Sequence, residues 1–149
     1  MPEQADRKMH VIVAVLGDLG RSPRMQYHAQ SLLDAGHTVS LVGYSGEDLV
    51  PALQKFEGDR LRVIRFRVPA PKSLRKVLPV YFLWRILSLT ACLSWALFVT
   101  VSKQPVADCL VLQNPPAVPL LFIAHLYCKA MAILHGKRPG LVIDWHNLG

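Results

Sequence analysis

Residues 10–28, HVIVAVLGDLGRSPRMQYH, contain an apolar run, a loop with two glycines and the beginning of a helical pattern. The run His10 to Leu16 is apolar throughout its length, which predicts a strand buried on both faces. The segment Pro23 to Ala35 is predicted to be a helix, with Ser22 as its N-cap and a proline in its first turn. This stretch therefore predicts strand, loop and helix in succession, the first unit of an α/β fold.

The loop between this strand and this helix has the features of an anion site. Gly17 and Gly20 allow a tight turn and a close approach of the backbone to a ligand. The N–H groups at the start of a helix attract anions, and Arg21 and Arg24 stand beside them in the sequence. The glycine spacing is not G-x-G-x-x-G, so a dinucleotide fingerprint is not supported. The alternative is an ordinary strand-to-helix turn with solvated arginines.

Further strands and helices alternate along the rest of the chain. The predicted strands are Thr38–Tyr44, Leu61–Val68, Val106–Leu112 and Leu141–Asp144, and the predicted helices are Pro51–Phe56, 78–101 and Ala117–Leu134. This order favours a Rossmann-like, doubly wound parallel sheet. If the strand order is 3-2-1-4-5, the first and fourth strands flank the point at which such sheets bind ligands.

Polar residues follow three of these strands and meet at one edge of the predicted sheet. His146 is a candidate general base, because an imidazole titrates near working pH, and Asp18 is the rival base. Gln113 and Asn114 offer amide groups suited to sugar hydroxyls, although a turn before two prolines explains them equally well. The sequence contains no recognisable metal cluster, Walker loop or Ser or Cys nucleophile arrangement.

Composition and charge narrow the class of protein. The 149 residues carry a net charge of +7, and they are predicted to form a polar tail over 1–9 and one domain over 10–149. No acidic residue lies between Arg60 and Ala107, whereas nine residues of this block are basic. Such a block suits a lipid surface, a diphosphate or a nucleic acid, or is simply solvated. Nucleic acid is disfavoured because stacking aromatics are not interleaved with the charges.

The three cysteines are predicted to be buried thiols in a reducing compartment.

The segment 78–101 is the most apolar part of the chain, and three alternatives remain open for it. It is predicted to be a helix that packs on the sheet, lies in a membrane interface or spans the membrane. In the interfacial alternative, aromatic side chains lie at headgroup level and basic side chains bind lipid phosphates. The residues expected to contact the membrane are Arg75, Lys76, Tyr81, Trp84 and Trp95.

Three motifs carry a resemblance to a known family. GDLGRSPRMQYHA at 17–29, LQNPP at 112–116 and LVIDWHN at 141–147 occur in the order seen in the chitobiosyldiphosphodolichol β-mannosyltransferases. The chain resembles the amino-terminal half of these enzymes. The resemblance implies the acceptor-side domain of a GT-B glycosyltransferase. It also implies β-1,4 transfer of mannose, with inversion, from GDP-mannose to dolichol-linked diphosphate chitobiose. The expected location is the cytosolic face of the endoplasmic reticulum membrane.

The resemblance also implies roles for individual residues. The residues implied to lie near the acceptor sugars or diphosphate are Gly17, Gly20, Arg21, Ser22 and Arg24. Asp18 or His146 would deprotonate the acceptor hydroxyl, while Gln113, Asn114 and Asn147 would orient the acceptor. No tightly bound cofactor and no metal are expected, and most of the GDP-mannose site is expected on a carboxy-terminal donor domain.

Two departures from the family pattern shape the functional expectation. The polar residues 1–9 predict neither a signal peptide nor the membrane anchor with which family members usually begin. The donor domain is not recognised in the sequence, so we expect no mannosyltransferase activity from this chain alone. The alternative function is a noncatalytic, membrane-associated subunit of a split glycosyltransferase that recruits the acceptor. Its partner would be a donor-domain protein or another dolichol-pathway glycosyltransferase.

Overall fold

Five parallel strands alternate with helices in the computed structural model, which describes residues 7–69, 71, 77–100, 105–114 and 118–145. The strands are β1 (His10–Asp18), β2 (Thr38–Tyr44), β3 (Leu61–Phe66), β4 (Cys109–Asn114) and β5 (Gly140–Trp145). The helices are α1 (Pro23–Asp34), α2 (Pro51–Gln54), α3 (Leu78–Trp95) and α4 (Val118–His135), and α3 continues as a π-helical segment, Ala96–Thr100.

The strand order is β3-β2-β1-β4-β5, with every neighbouring pair parallel, which confirms the predicted order. β1 lies at the centre, where Val11 pairs with Val39 of β2 on one side and with Cys109 of β4 on the other. A central strand of a doubly wound sheet is covered on both faces. The continuous burial of residues 11–15 therefore explains the unbroken apolar run in the sequence.

Helices cover the two faces of the sheet in pairs. On one face, Val11 and Val13 of β1 belong to a core with Met25, Ala29 and Leu33 of α1. On the other face, α3 and α4 contribute to a core that contains the alternate β1 residues. The members of this second core from β1, α3 with its π-helical segment, and α4 include Ile12, Ala14, Leu93, Leu97, Leu120 and Tyr127. Layers of helix, sheet and helix confirm the Rossmann-like α/β fold.

The strand ends differ from those predicted. β1 continues beyond Leu16 to Asp18, which pairs with Tyr44 after an irregularity in the register. β4 begins at Cys109 and includes Gln113 and Asn114, which were predicted to follow the strand. Apolar runs mark burial, but backbone pairing continues through polar residues where a neighbouring strand extends as far. Of the cysteines, Cys128 is buried as predicted, whereas Cys92 and Cys109 are only partly buried.

Candidate functional site

The carboxyl ends of β1, β4 and β5 bring the predicted site residues to one edge of the sheet. Asp18 ends β1, and Gln113 of β4 pairs in register with Asp144 of β5. Gln113 is partly exposed, and Asn114 is the last residue of β4. The side chain of Asn114 is outside the described structure, as are residues His146 and Asn147, which follow β5. The edge itself is the predicted one, and the catalytic and acceptor-binding roles stay predictions.

Asp18 joins the loop after β1 to the loop after β2. Its Oδ1 accepts hydrogen bonds from the backbone N–H groups of Gly20 (3.0 Å) and Glu47 (3.1 Å). Its Oδ2 also lies 3.1 Å from the Glu47 nitrogen, and 3.7 Å from Nε of Arg21. Carboxylates that accept backbone N–H bonds stabilise loops strongly because the acceptor is charged. The first role that the geometry gives Asp18 is therefore to hold two loops together.

The start of α1 is built differently from the prediction. Ser22 occupies the N-cap position and Pro23 the first turn, but the Ser22 side chain makes no capping hydrogen bond. Instead, Ser22 Oγ donates to the backbone carbonyl of Asp18 at 2.9 Å. The backbone at Ser22 has φ −115° and ψ 68°. This conformation, with the tight turn before it, brings the hydroxyl back to the end of β1 instead of to the first turn of α1.

Gln26 is a site residue that the sequence analysis did not identify. Its Nε2 donates to the carbonyl oxygens of Leu19 (3.0 Å) and Gly20 (3.1 Å), and its Oε1 accepts from the N–H of Val50 (2.8 Å). The side chain is 2% exposed, so these bonds satisfy a buried amide. The available signal was a single polar residue on the buried stripe of α1, next to Met25.

Arg21 forms an exposed ion pair at the surface of the glycine loop. Its Nε and a terminal nitrogen lie 2.8 Å and 2.7 Å from Oε1 of Glu47. This hydrogen bond, with the charge of Glu47 and then of Asp18, raises the pKa of the Arg21 guanidinium. The Arg21 and Glu47 side chains are 72% and 58% exposed. Exposed pairs of this kind are weak, so an anion can compete for this arginine.

Arg24 and His28 of α1 both contact Asp144 at the end of β5. A terminal nitrogen of Arg24 lies 2.7 Å from Oδ1 of Asp144, and Nε2 of His28 lies 3.3 Å from Oδ2. The Asp144 side chain is nearly buried. His28 was not predicted, although its position four residues after Arg24 places both side chains on one face of a helix. These contacts fix the end of β5 relative to the helix that begins at the glycine loop.

A cleft of about 330 Å³ opens beside this ion pair, between α1 and the last two strands. Its floor is apolar, and His28 and Asp144 are its charged or titratable lining residues. The other lining residues are Ser31, Leu32, Val111, Val142 and Ile143. In the described part of the chain, no group of three or more His, Cys, Asp or Glu side chains is placed to hold a metal ion.

The predicted membrane contacts lie partly on α3. Trp84 and Trp95 are exposed, Tyr81 is partly exposed, and Arg75 and Lys76 are outside the described residues. The segment Leu78–Phe98 is long and apolar enough to cross a membrane, although length and composition alone also fit a core helix.

Comparison with known proteins gives the chain its relatives. It is similar to the chitobiosyldiphosphodolichol β-mannosyltransferases of Yarrowia lipolytica (38% identity over 96% of this chain) and Mus musculus (35% over 98%). It is also similar to the UDP-glycosyltransferase TURAN of Arabidopsis thaliana (40% over 92%). The chain spans 28% of the length of each of these relatives. No family model matches it.

Among solved structures, the C-terminal domain of a Pyrococcus furiosus hydrogenase superposes with a TM-score of 0.56 at 15% identity. That match covers 94% of this chain and 93% of the other, and it shows a shared fold.

Proposed function

Because this chain is a homologue of the chitobiosyldiphosphodolichol β-mannosyltransferases, we propose that it forms the acceptor-binding side of such an enzyme. The reaction is β-1,4 transfer of mannose, with inversion, from GDP-mannose to chitobiosyl diphosphodolichol. The names of the relatives support the transferase class and the acceptor. The observation that carries the placement is the meeting of the glycine loop, Gln113 and Asp144 at the carboxyl edge of one parallel sheet.

The acceptor hydroxyl must lose its proton as it attacks the anomeric carbon of mannose, and the GDP leaves from the opposite face of the sugar. Both oxygens of Asp18 already accept backbone hydrogen bonds, which leaves this carboxylate poorly placed to receive a further proton. We therefore assign the base to His146, which follows β5 directly in sequence. Asp144 is a positioning residue in this proposal, because Arg24 and His28 hold the strand that leads to His146.

The diphosphate of the acceptor is assigned to the glycine loop. Arg21 is the cation best able to bind the diphosphate, because its ion pair with Glu47 is exposed and weak, so a phosphate can replace Glu47 as its partner. Gln113 is assigned to the sugar hydroxyls, because its amide lies at the end of β4 and is partly exposed. The proposed location is the cytosolic face of the endoplasmic reticulum membrane, where a dolichol-linked acceptor is held.

The proposal is tested by titrating the chain with chitobiosyl diphosphate that carries a short alkyl chain in place of dolichol. We expect Arg21→Ala and Gln113→Ala each to weaken binding about tenfold, as expected for the loss of a hydrogen bond to a charged or buried polar group. Lys8→Ala is the matched control, because Lys8 is an exposed cation at the opposite, amino edge of the sheet. Binding that Arg21→Ala leaves unchanged, or that Lys8→Ala weakens equally, would contradict the proposal.

A further inference from the structure

Before it enters the core, α3 carries its polar residues on its more sheltered side. Tyr81, Arg85 and Ser88 are partly buried, and their spacing of four and three residues places them on one stripe of the helix. The residues between them, 82–84 and 86–87, are apolar and exposed. A helix that only covers a sheet has the opposite pattern, with its apolar residues inside and its polar residues outside. The reversed pattern calls for a polar neighbour on the sheltered side.

This stripe faces the carboxyl ends of β2 and β3. Cys92, two turns after Arg85 on the same stripe, has its Sγ 3.7 Å from the carbonyl oxygen of Arg67, which follows β3. Arg85 itself lies near the hydroxyl of Tyr44, the last residue of β2. Burial raises the pKa of Tyr44, and the charge of Arg85 opposes that effect. The Tyr44 ring packs edge-on against Phe66 at the end of β3, with 5.2 Å between the ring centroids. Arg85 and Tyr44 therefore meet at the carboxyl edge of the sheet.

Both groups are donors that lack an acceptor in the part of the chain that the structure describes. Arg85 has no ion pair or hydrogen bond there, and the hydroxyl of Tyr44 has no hydrogen bond. Arg21 and Arg24, by contrast, each have an acid partner. No acid occurs from Arg60 to Ala107, so the surrounding segment supplies no counterion. A guanidinium that loses water without gaining a counterion is destabilised, and a bound anion removes that cost.

The pair of Arg85 and Tyr44 stands beside the glycine loop. Tyr44 is paired with Asp18 across β1 and β2, and its carbonyl oxygen accepts a hydrogen bond of 3.5 Å from the N–H of Leu19. The Tyr44 side chain packs against the core that α3 and α4 share, whereas Arg24 belongs to α1 on the opposite face of the sheet. The glycine loop and this pair therefore border the same edge from two sides.

We propose that Arg85 and Tyr44 form an anion subsite that binds a phosphate group of a diphosphate ligand. The guanidinium presents N–H donors in a planar fork that matches two oxygens of one phosphate, and the phenol adds an O–H donor. The inference deepens the proposed function and rests on it for the choice of a diphosphate over other anions. Two molecules of the proposed reaction carry this group, the acceptor and the GDP that leaves.

Binding is measured by calorimetric titration of the full chain with inorganic diphosphate at one salt concentration. Arg85→Gln should weaken binding about tenfold, because hydrogen bonds between charged groups are lost, and Tyr44→Phe should weaken it about threefold. The matched control is Arg62→Gln, which makes the same change of charge at a partly buried arginine near the start of β3. Equal weakening by the control, unchanged binding in Arg85→Gln, or no binding by the unaltered chain would overturn the inference.

The ring of Tyr44 reports binding at the subsite itself. The chain has four tyrosines, so isotope labelling of tyrosine gives a simple NMR spectrum, and Tyr44→Phe identifies the signal of Tyr44. Inorganic diphosphate should shift this signal in the unaltered chain and in Arg62→Gln, and should leave it in place in Arg85→Gln. A Tyr44 signal that stays in place in the unaltered chain while diphosphate binds would show that the anion lies elsewhere and would overturn the inference.

Two further titrations identify the molecule that supplies the diphosphate. Weaker binding of the alkyl-linked chitobiosyl diphosphate to Arg85→Gln assigns the subsite to the acceptor, and weaker binding of GDP assigns it to the leaving nucleotide. Either result supports a diphosphate subsite, and unchanged binding of both compounds contradicts it. Inorganic diphosphate contains no sugar, whereas Gln113→Ala tests sugar binding without altering Arg85. The subsite and the proposed function can therefore fail separately.

Discussion

Asp18 accepts backbone hydrogen bonds from the loop after β1 and from the loop after β2, so its loss should destabilise both loops. We expect Asp18→Ala to lower the free energy of unfolding by about 1–3 kcal/mol, because the N–H groups of Gly20 and Glu47 lose their acceptor. Asp18→Asn keeps one acceptor oxygen and should cost less. Urea unfolding followed by circular dichroism measures both variants. Asp48→Ala, at an exposed acid in the neighbouring loop, should change the value by less than about 0.5 kcal/mol. A similar loss in all three variants would show that Asp18 has no special role.

The surroundings of His10 predict how the free energy of unfolding depends on pH. Its Nδ1 lies 2.9 Å from the carbonyl oxygen of Pro105, which can only accept, so Nδ1 carries the proton. Nε2 therefore accepts from the hydroxyl of Ser40 at 2.8 Å. Burial lowers the pKa of His10, assisted by Lys137 and opposed by the Pro105 carbonyl and by Asp108.

A lowered pKa means that the unfolded chain binds more protons than the folded chain at acidic pH. The contribution of His10 is complete above its unfolded pKa of about 6.5, and it is lost as the pH falls through the folded value. We expect the urea concentration at the unfolding midpoint to decrease as the pH is lowered from about 7.5 to about 5.5. In His10→Gln this dependence should be smaller, whereas His135→Gln, at an exposed histidine, should retain it. Identical slopes in both variants would assign the effect to other groups.

At the scale of elements, the loop between β1 and α1 tolerates a side chain at one glycine and not at the other. A Cβ on Gly20 would lie 2.6–2.7 Å from Cβ and the backbone of Glu47, whereas a Cβ on Gly17 would meet ordinary contacts at 3.7 Å or more. We expect Gly20→Ala to destabilise the fold by about 1–3 kcal/mol, because backbone must move, and Gly17→Ala to be nearly neutral. Thermal unfolding of the two variants measures this, and equal melting temperatures would contradict it.

α3 shows how far an element can be predicted without its neighbours. Its helical character follows from the length and apolarity of 78–101, but nothing in its uniform composition distinguishes the largely exposed residues 78–87 from the buried residues Leu93, Ala96 and Leu97. That difference arises near the end of β3: Cys92 contacts the backbone of Arg67 there, whereas most of the large apolar side chains over 78–87 are exposed. The packed alternative is therefore confirmed for the later half of the helix. The interfacial alternative stays a prediction for residues 78–87.

At the scale of the whole molecule, the order of strands was predictable because right-handed crossovers between parallel strands leave few topologies. The common edge of the candidate site followed from that order. The contacts that hold the edge together were not predictable, since Arg24 and Asp144 are 120 positions apart and the partners of Gln26 belong to turns. Local patterns record periodicity and charge, whereas such pairs depend on where the completed sheet places distant segments.

The pairing of β1 with β4 determines when the sheet can be completed. Val11 finds its β2 partner, Val39, within the first third of the chain, but its other partner, Cys109, comes 98 positions later. During synthesis, the strands β3-β2-β1 can assemble while β1, later the centre, still has an open edge. His10 lies on that seam, bonded to Pro105 and Asp108. The non-local contacts that make such folds slow to form are concentrated there, so the strand at the centre of the native sheet stays open on one side until β4 has been synthesised.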